Sequence, residues 1–451
     1  MAAGRVPNAV WAVLLAAHGL ALGWALTHGT WHFPDSDRYR QAADNLRQHG
    51  QLYARPWPAS PPRGQAVQEF TIRPVGYPLL VRATDGTAPR PVWLLMLQNL
   101  LSLLSLGLVL RWWARRARPQ AGEWRVATAM ALSFPAQLIY ASAVMSEIPL
   151  QAAVVAMTGL GLRFIGTEKN RYLVGVAGAA TAALLLKPAF YPLATVIAAL
   201  GLAWGWHRRR ASIAGIGLLP LMAVVLCMGW NEQRTGYFHF SSIAEINLLH
   251  YNAAGVVRQV AGPAAAEHWV ASVVQAANAQ PDFAARQQLI RRRAGAVIRE
   301  HPWVYARQHL LGMAALALDP GRFDIGQFVG VAPPAGGGLL VQLRTEGLRR
   351  VLQKLPLGLL AGLLAVFLAN VVRLALALRG FRRLENAGRM ERIGRWVALG
   401  LLFYVALLTG PLGAARFLVP VWPLLLGLAL AGVGRGIGHT GIRCGAGAAT
   451  A

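Results

Sequence analysis

Five separate stretches of this chain place ionisable side chains against apolar or helix-breaking sequence, where a charge is expensive unless it is paired or used. They are Asp35 and Asp37 in FPDSDRYR, Arg73 in TIRPVGYPLL, Glu147 in SAVMSEIP, Lys187 in LLLKPAF and Arg416 in GPLGAARFLVP. A carboxylate such as Asp35 or Asp37 can act as a general base, taking the proton of an acceptor hydroxyl as that oxygen attacks a sugar carbon. Arg73 offers a forked set of donors suited to a phosphate diester. Each residue also has an ordinary reading. The two Asp residues can cap the helix that follows them, and Arg73 can snorkel to an interface. Glu147, Lys187 and Arg416 can cap helices or reach headgroups. Either Asp could hold a divalent ion, although two carboxylates without a His or a third acid form a weak ligand set; no other metal site or cofactor is expected.

The elements that must position these residues are membrane spans. Of 451 residues, 55% are hydrophobic and 14% charged, against about 25% charged in a soluble domain; the mean hydropathy is +0.41. Apolar runs long enough for about 30 Å of hydrocarbon lie near 9–27, 91–111, 124–141, 147–166, 171–186, 188–206, 212–230, 355–376, 395–411 and 416–434. The fold class expected is therefore an all-α polytopic membrane protein of about ten transmembrane helices, with amphipathic helices in two extracytoplasmic loops. The formal charge of +26 would fit a nucleic-acid binder only if it formed a stripe on a soluble domain. Instead the basic residues sit at the ends of the runs and between them, so no nucleic-acid partner is expected. Lys169, Lys187 and Lys354 are the only lysines, so the Arg count reflects a general bias of the sequence. Cys227 and Cys444 are too few for a disulfide framework or a thiolate metal cluster.

Basic residues in short connections set orientation. Arg111, Arg115, Arg116 and Arg118, then Lys169 and Arg171, then residues 207–210, then a basic connection over 373–395 all fall on one side if the spans alternate. That side is expected to be cytoplasmic, with both termini in the cytoplasm, the protein in the cytoplasmic membrane and residues 1–27 an uncleaved first anchor. The layout is then an outer loop over 28–90, spans over 91–230, a second outer loop over 231–350, spans over 351–434 and a tail over 435–451. In the first loop, 38–49 reads as a surface helix with Tyr39, Ala42, Ala43 and Leu46 inward. Pro74, Gly76 and Pro78 predict an extended turn rather than a helix after Arg73. In the second loop, 284–300 and Pro302–Leu318 are amphipathic, with Trp303 and Tyr305 suited to headgroup level. The stretch TGYFHFSSIAEINLLHYNAAG, with His239, Glu245, Asn247, His250 and Asn252 among aromatics, could line a sugar pocket or simply pack. All five charged stretches fall on the outer side, which favours one shared site.

Taken in order, these pieces resemble the type C membrane glycosyltransferases, in particular the protein O-mannosyltransferase and lipid A aminoarabinose transferase branch. The pattern DSxxYxxxAxNL is carried by Asp35, Ser36, Tyr39, Ala43, Asn45 and Leu46, and RPVGYPLL is similar to the family's Arg-Pro-x-Gly-Tyr-Pro segment. The Ser146–Glu147 turn, the Lys187–Pro188 turn, TGYFHFSS with INLLHYNAAG, HPWVYARQHLLG and the terminal ARFLVPVWPLL continue the likeness over about residues 28–425. The resemblance implies transfer of a sugar, with inversion, from a polyprenyl-phosphate donor to a lipid, glycan or protein acceptor on the extracytoplasmic face, among membrane lipids. It places the catalytic carboxylate at Asp35, with Asp37 in reserve because Ser36 stands where relatives often have an adjacent second acid. Arg73, Lys187 and Arg416 would receive the donor phosphate. Glu147, Tyr77, Asn247 and His250 would contact sugar or acceptor, or orient those that do. An envelope polysaccharide polymerase or ligase, a lipid or sugar transporter or flippase, and a noncatalytic scaffold are the other classes this sequence admits.

Overall fold

A computed structural model of the chain describes residues 4–331 and 356–433. It is an all-helical polytopic membrane protein, with nineteen α-helices and no strand among the described residues. Helix α1 (Asn8–His28) is apolar on every face and ends at Gly29, whose φ of 69° suits glycine. Helix α2 (Ser36–Gln48) buries Tyr39, Ala42, Ala43 and Asn45. Leu46 is only half-buried, and the inward place is taken by Asn45, whose amide donates to the Tyr53 and Arg55 carbonyls at 2.7 Å. Helix α3 (Gly76–Ala83) starts inside the stretch expected to be extended. Pro78 falls in its first turn, where the missing N–H costs no hydrogen bond.

Helix α4 (Val92–Ala117) is the second long span. The third apolar run is split into α5 (Ala121–Leu132) and α6 (Pro135–Ala141). Phe134 precedes a proline, which disfavours helical backbone, and its ψ is 85°. Helices α7 (Glu147–Thr167), α8 (Asn170–Leu186), α9 (Tyr191–His207) and α10 (Ala211–Thr235) follow as a tight up-and-down set. The second loop folds as α11 (Ile243–Asn247), α12 (Ala254–Ala261), α13 (Pro263–Asn278), α14 (Phe283–Glu300), α15 (Pro302–Leu318) and α16 (Arg322–Val329). Helices α17 (Leu357–Arg383), α18 (Arg389–Thr409) and α19 (Trp422–Gly432) close the described chain. The expected end of the second loop near Arg350, the start of the eighth run and the tail over 435–451 with Cys444 lie outside the described residues.

Eight helical stretches are long and apolar enough to cross a membrane. Of the ten expected runs, the two that fall short are the split third one and α8, which has 17 residues. The last span, Ala415–Gly432, is 94% buried, whereas the other seven are 17% to 50% buried. The bundle therefore wraps around α19, and its outer helices turn residues such as Leu20 and Leu200 toward lipid. Close approach at the centre depends on small residues: a Cβ on Gly380 would strike the Leu428 carbonyl of α19.

One end of the bundle is basic. Arg116 in the last turn of α4 pairs with Glu391 of α18 at 2.8 Å, and Arg208 after α9 pairs with Glu168 after α7 at 2.6 Å. Arg373, which the sequence placed in the basic connection of that end, belongs instead to α17 and is 2% exposed. The helix continues to Arg383 because residues 373–383 keep a helical pattern of Leu, Ala and Arg with no breaker before Gly380.

Candidate functional site

At the opposite end, five side chains from five distant stretches converge. Asp35 precedes α2, but its carboxylate makes no capping hydrogen bond. It accepts instead from Arg73 Nη2 at 2.5 Å through Oδ1, and its Oδ2 lies 3.7 Å from Arg416 Nη1. Lys187 Nζ donates to Glu147 Oε1 at 2.5 Å. The Arg73 guanidinium lies 4.9 Å from the centre of the Tyr39 ring, and both Arg416 and Lys187 lie over the Phe417 ring, at 4.6 and 5.2 Å. Two carboxylates thus face three cations in one recess.

Irregular backbone holds each of these groups. Residues 142–146, between α6 and α7, are not helical, and side chains from other elements take three of the carbonyls around this break. Asn99 donates to the Ala141 carbonyl at 2.9 Å, Gln98 to that of Ala143 at 2.7 Å, and Ser36 to that of Val144 at 3.0 Å. The Val144 N–H returns a bond to the Trp31 carbonyl at 2.9 Å. The Asp35 loop and the Glu147 turn are therefore stapled together through Ser36, and Tyr39 Oη lies 3.2 Å from Ser146 Oγ. Arg73 is brought close because Gly76 lies against the end of α8; a Cβ there would sit 2.7 Å from the Leu185 carbonyl oxygen, two residues before Lys187. Tyr77 is fully buried, edge-on to Tyr39 at 4.6 Å, and its hydroxyl donates to Gln98 at 2.8 Å, so it braces the Arg73 segment against the Glu147 turn.

The electrostatics follow from this packing. Burial works against an ionised Asp35, yet Arg73, then Arg416, Lys187 and Arg38, hold its carboxyl below the usual range. Glu147 is 1% exposed, and its Oε2 is buried with no protein hydrogen-bond partner, as is Arg73 Nε.

Three expected site residues do not join the recess. Asp37 points outward, 69% exposed, and pairs with His32 at 2.7 Å; being two positions along a helix from Asp35 turns its side chain to another face. Asn247 and His250 lie where α11 passes into a wide helical turn packed on α14. The Asn247 carbonyl accepts from Asn252, and His250 is exposed. The nearby His239 is committed to Thr71 at 2.8 Å and to the Tyr237 carbonyl at 2.7 Å, and burial lowers its pKa. Among the described residues no three His, Cys, Asp or Glu side chains form a group able to hold a metal.

The sequence reading missed Asp319 and Asp324, in ALALDPGRFDIG. Asp319 accepts the Ala415 N–H at 2.8 Å, beside Arg416, and Asp324 accepts from the Tyr140 hydroxyl at 2.7 Å. The signal at Asp319 was the same as at the other stretches, an acid set between an apolar helix and a Pro-Gly break, whereas Asp324 lies beyond that break. Beside Lys187 a narrow apolar cleft opens between α7 and α18, lined by Leu150, Phe190, Tyr404, Leu408 and Phe417.

Fold and recess together define a polytopic membrane protein with a cationic pocket at one end of its helices. No family model and no curated protein matches the chain. Among solved structures it is similar to ArnT from Cupriavidus metallidurans bound to undecaprenyl phosphate, at 15% identity over 94% of this chain and 76% of that one, with a TM-score of 0.37. The apo state of the same protein is similar at 16% identity over 92% and 78%, with a TM-score of 0.34. The arabinosyltransferase EmbB from Mycobacterium smegmatis is similar at 12% identity over 95% of this chain and 42% of that one, with a TM-score of 0.33.

Proposed function

We propose that the chain is a membrane glycosyltransferase that moves a sugar from a polyprenyl-phosphate donor to a lipid, glycan or protein hydroxyl on the extracytoplasmic face of the cytoplasmic membrane. The observation that carries this is Asp35 held between Arg73 and Arg416, in a recess with one more cation than carboxylate, beside an apolar cleft. A phosphate diester carries one negative charge, and an isoprenoid needs an apolar groove; the two demands meet at Lys187. Asp35 takes the acceptor proton while the acceptor oxygen bonds to the anomeric carbon from the face opposite the phosphate. The bond from that carbon to the phosphate oxygen breaks with its electron pair, which gives inversion, and Arg416, Lys187 and Arg73 neutralise the departing phosphate. Glu147 holds Lys187 in place.

Donor binding also tunes the base. A phosphate that draws Arg416 and Arg73 toward itself weakens their hold on Asp35, so the carboxylate becomes more basic when the substrate is present.

Arg373 beside the break at Ser133–Phe134 is a feature a transporter would share, an intramembrane charge at an interrupted helix. It is sealed, however, with its guanidinium 5.4 Å from the centre of the Phe134 ring and 4.8 Å from that of Trp422. The test is product analysis with purified protein in lipid nanodiscs and a panel of undecaprenyl-phosphate sugars. The expected result is a glycosylated product with wild-type protein and none with Asp35→Asn. Equal product from the two would overturn the proposal.

A further inference from the structure

Residues 318–331 form a strap across the recess. Asn370 of α17 donates to the Leu318 and Asp319 carbonyls at 3.2 and 3.1 Å. Asp319 Oδ1 accepts from the Gly321 N–H at 3.0 Å, while its other oxygen holds Ala415. Beyond them α16 is tied to the Asp35 side of the site: Gln327 donates to the His32 carbonyl at 3.1 Å, and Trp24 Nε1 to the Phe328 carbonyl at 2.8 Å. Asp324 is 3% exposed in the middle of this strap. Gly321 has φ +76°, and a Cβ on it would lie 3.5 Å from that of Ala415 and 3.6 Å from Asp324 Oδ2, so the Asp324 carboxyl packs beside the Ala415–Arg416 turn. Tyr140, whose hydroxyl Asp324 receives, packs tilted against Phe33, two residues before Asp35, with ring centres 5.5 Å apart.

We propose that Asp324 is a positioning residue for Arg416: clasped by Tyr140 against the Ala415 turn, its carboxyl sets how free the Arg416 guanidinium is to receive a phosphate. The proposal rests on the phosphate-receiving part of the function above. With Asp324 protonated, three cations face Asp35 and Glu147, and one positive charge is left for the donor. With Asp324 ionised the charges balance, and the phosphate must compete for Arg416. The groups that face Asp324 are Tyr140 from α6, Arg416 from the segment before α19, Glu147 at the start of α7 and Asp319 in its own strap. The α1 end contributes Trp24, stacked on His28, and His32 meets α16 through its carbonyl. Burial raises the Asp324 carboxyl to about 7, against the opposing pull of Tyr140 and Arg416, so its charge changes in the working pH range.

The test measures binding of undecaprenyl phosphate to the full chain in nanodiscs at pH 6 and pH 8.5, for wild type and Asp324→Asn. The lipid phosphate titrates equally in both and cancels from their ratio. The expected result is that wild-type affinity falls by about fivefold or more relative to Asp324→Asn between the two values, a coupling of ordinary size. The same pH ratio in both proteins would overturn the proposal. Should Asp324→Asn fail to fold, Tyr140→Phe serves: loss of the hydroxyl donor raises the Asp324 carboxyl further, so the fall must move to higher pH, and an unmoved fall would overturn the proposal. Binding with the expected pH difference but no sugar transfer would spare Asp324 and sink the transferase. Sugar transfer with no pH difference would sink only Asp324. No binding by wild type at either pH would sink both.

Discussion

Arg373 and Arg416 are both arginines set against aromatic rings in the same bundle, and they have opposite surroundings. Arg373 lies on regular helix, 2% exposed, and donates to Asn370 and to Ser133, with no carboxylate partner among the described residues. Arg416 lies on the irregular stretch before α19, 31% exposed, and faces Asp35. The first is a cation whose solvation has been replaced by fixed dipoles and ring faces. The second is a cation left partly unsatisfied on purpose, at the end of the fold where helices stop. Neither charge burial nor a nearby helix break therefore marks the site by itself, since Arg373 has both; the site is marked by charges carried at helix ends and on irregular backbone, where side chains from different helices turn toward one cavity.

The sharpest break of this contrast is at the carboxylates of the recess. Asp35→Asn removes the proton acceptor and should lower kcat by about 10²- to 10⁴-fold with unchanged expression and melting. Asp37→Asn, which disrupts only the exposed pair with His32, should stay within about twofold. Equal losses in the two variants, measured by product formation, would undo the distinction between them.

Next comes the arginine pair. Arg416→Ala should raise the donor KM about 10- to 100-fold, the size of a lost hydrogen bond to a charged group. Arg373→Met fills a similar volume without a charge and should leave the donor KM unchanged, because replacing buried charge by packed apolar atoms is often neutral. A donor KM that rises as far in Arg373→Met as in Arg416→Ala would make Arg373 part of the site.

A smaller effect is expected where the recess depends on close packing. Gly76→Ala drives a methyl group onto the Leu185 carbonyl oxygen and should cost about 1–3 kcal/mol of stability, or push α3 away from Lys187. Thermal melting with an activity assay separates the two. Unchanged melting and activity would show that α3 and α8 need not touch.

The sequence made parts of this legible and not others, for physical reasons. Amphipathic period fixed α14 to within a residue, because its faces differ in polarity, whereas α15 shows little difference between its faces and is bounded instead by Pro302 and the Asp319–Pro320 break. The charges at Asp35, Glu147, Lys187 and Arg416 were legible because each interrupts apolar sequence. Arg73 was found as well, but the short helix after it was hidden by Pro74, which lies before that helix, and Pro78, which its first turn tolerates. Arg373 was misplaced because an arginine near the end of an apolar run reads as its boundary, and only the rings of Phe134 and Trp422 reveal that it is inside. Asp324 was missed because its meaning depends on Tyr140, 184 positions away. Asn247 and His250 were drawn in by composition, which does not say which way a helix turns them.

The subtlest expected effect concerns the acid limb of the pH profile. Burial raises the Asp35 carboxyl, but Arg73, then Arg416 and Lys187, outweigh it and hold its pKa below the ordinary value. The base must be ionised to accept a proton, so kcat/KM should fall only at pH values below the usual carboxylate range. In Arg73→Gln the nearest cation is gone, the carboxyl titrates at higher pH, and the acid limb should move up. Arg416→Gln should move it less, since that guanidinium is 3.7 Å away rather than 2.5 Å. Arg373→Met should not move it at all, because Arg373 is not among the charges that act on Asp35. Profiles that shift equally in all three would mean the limb reports the fold rather than Asp35, and the difference between Arg373 and Arg416 would lose its chemical content.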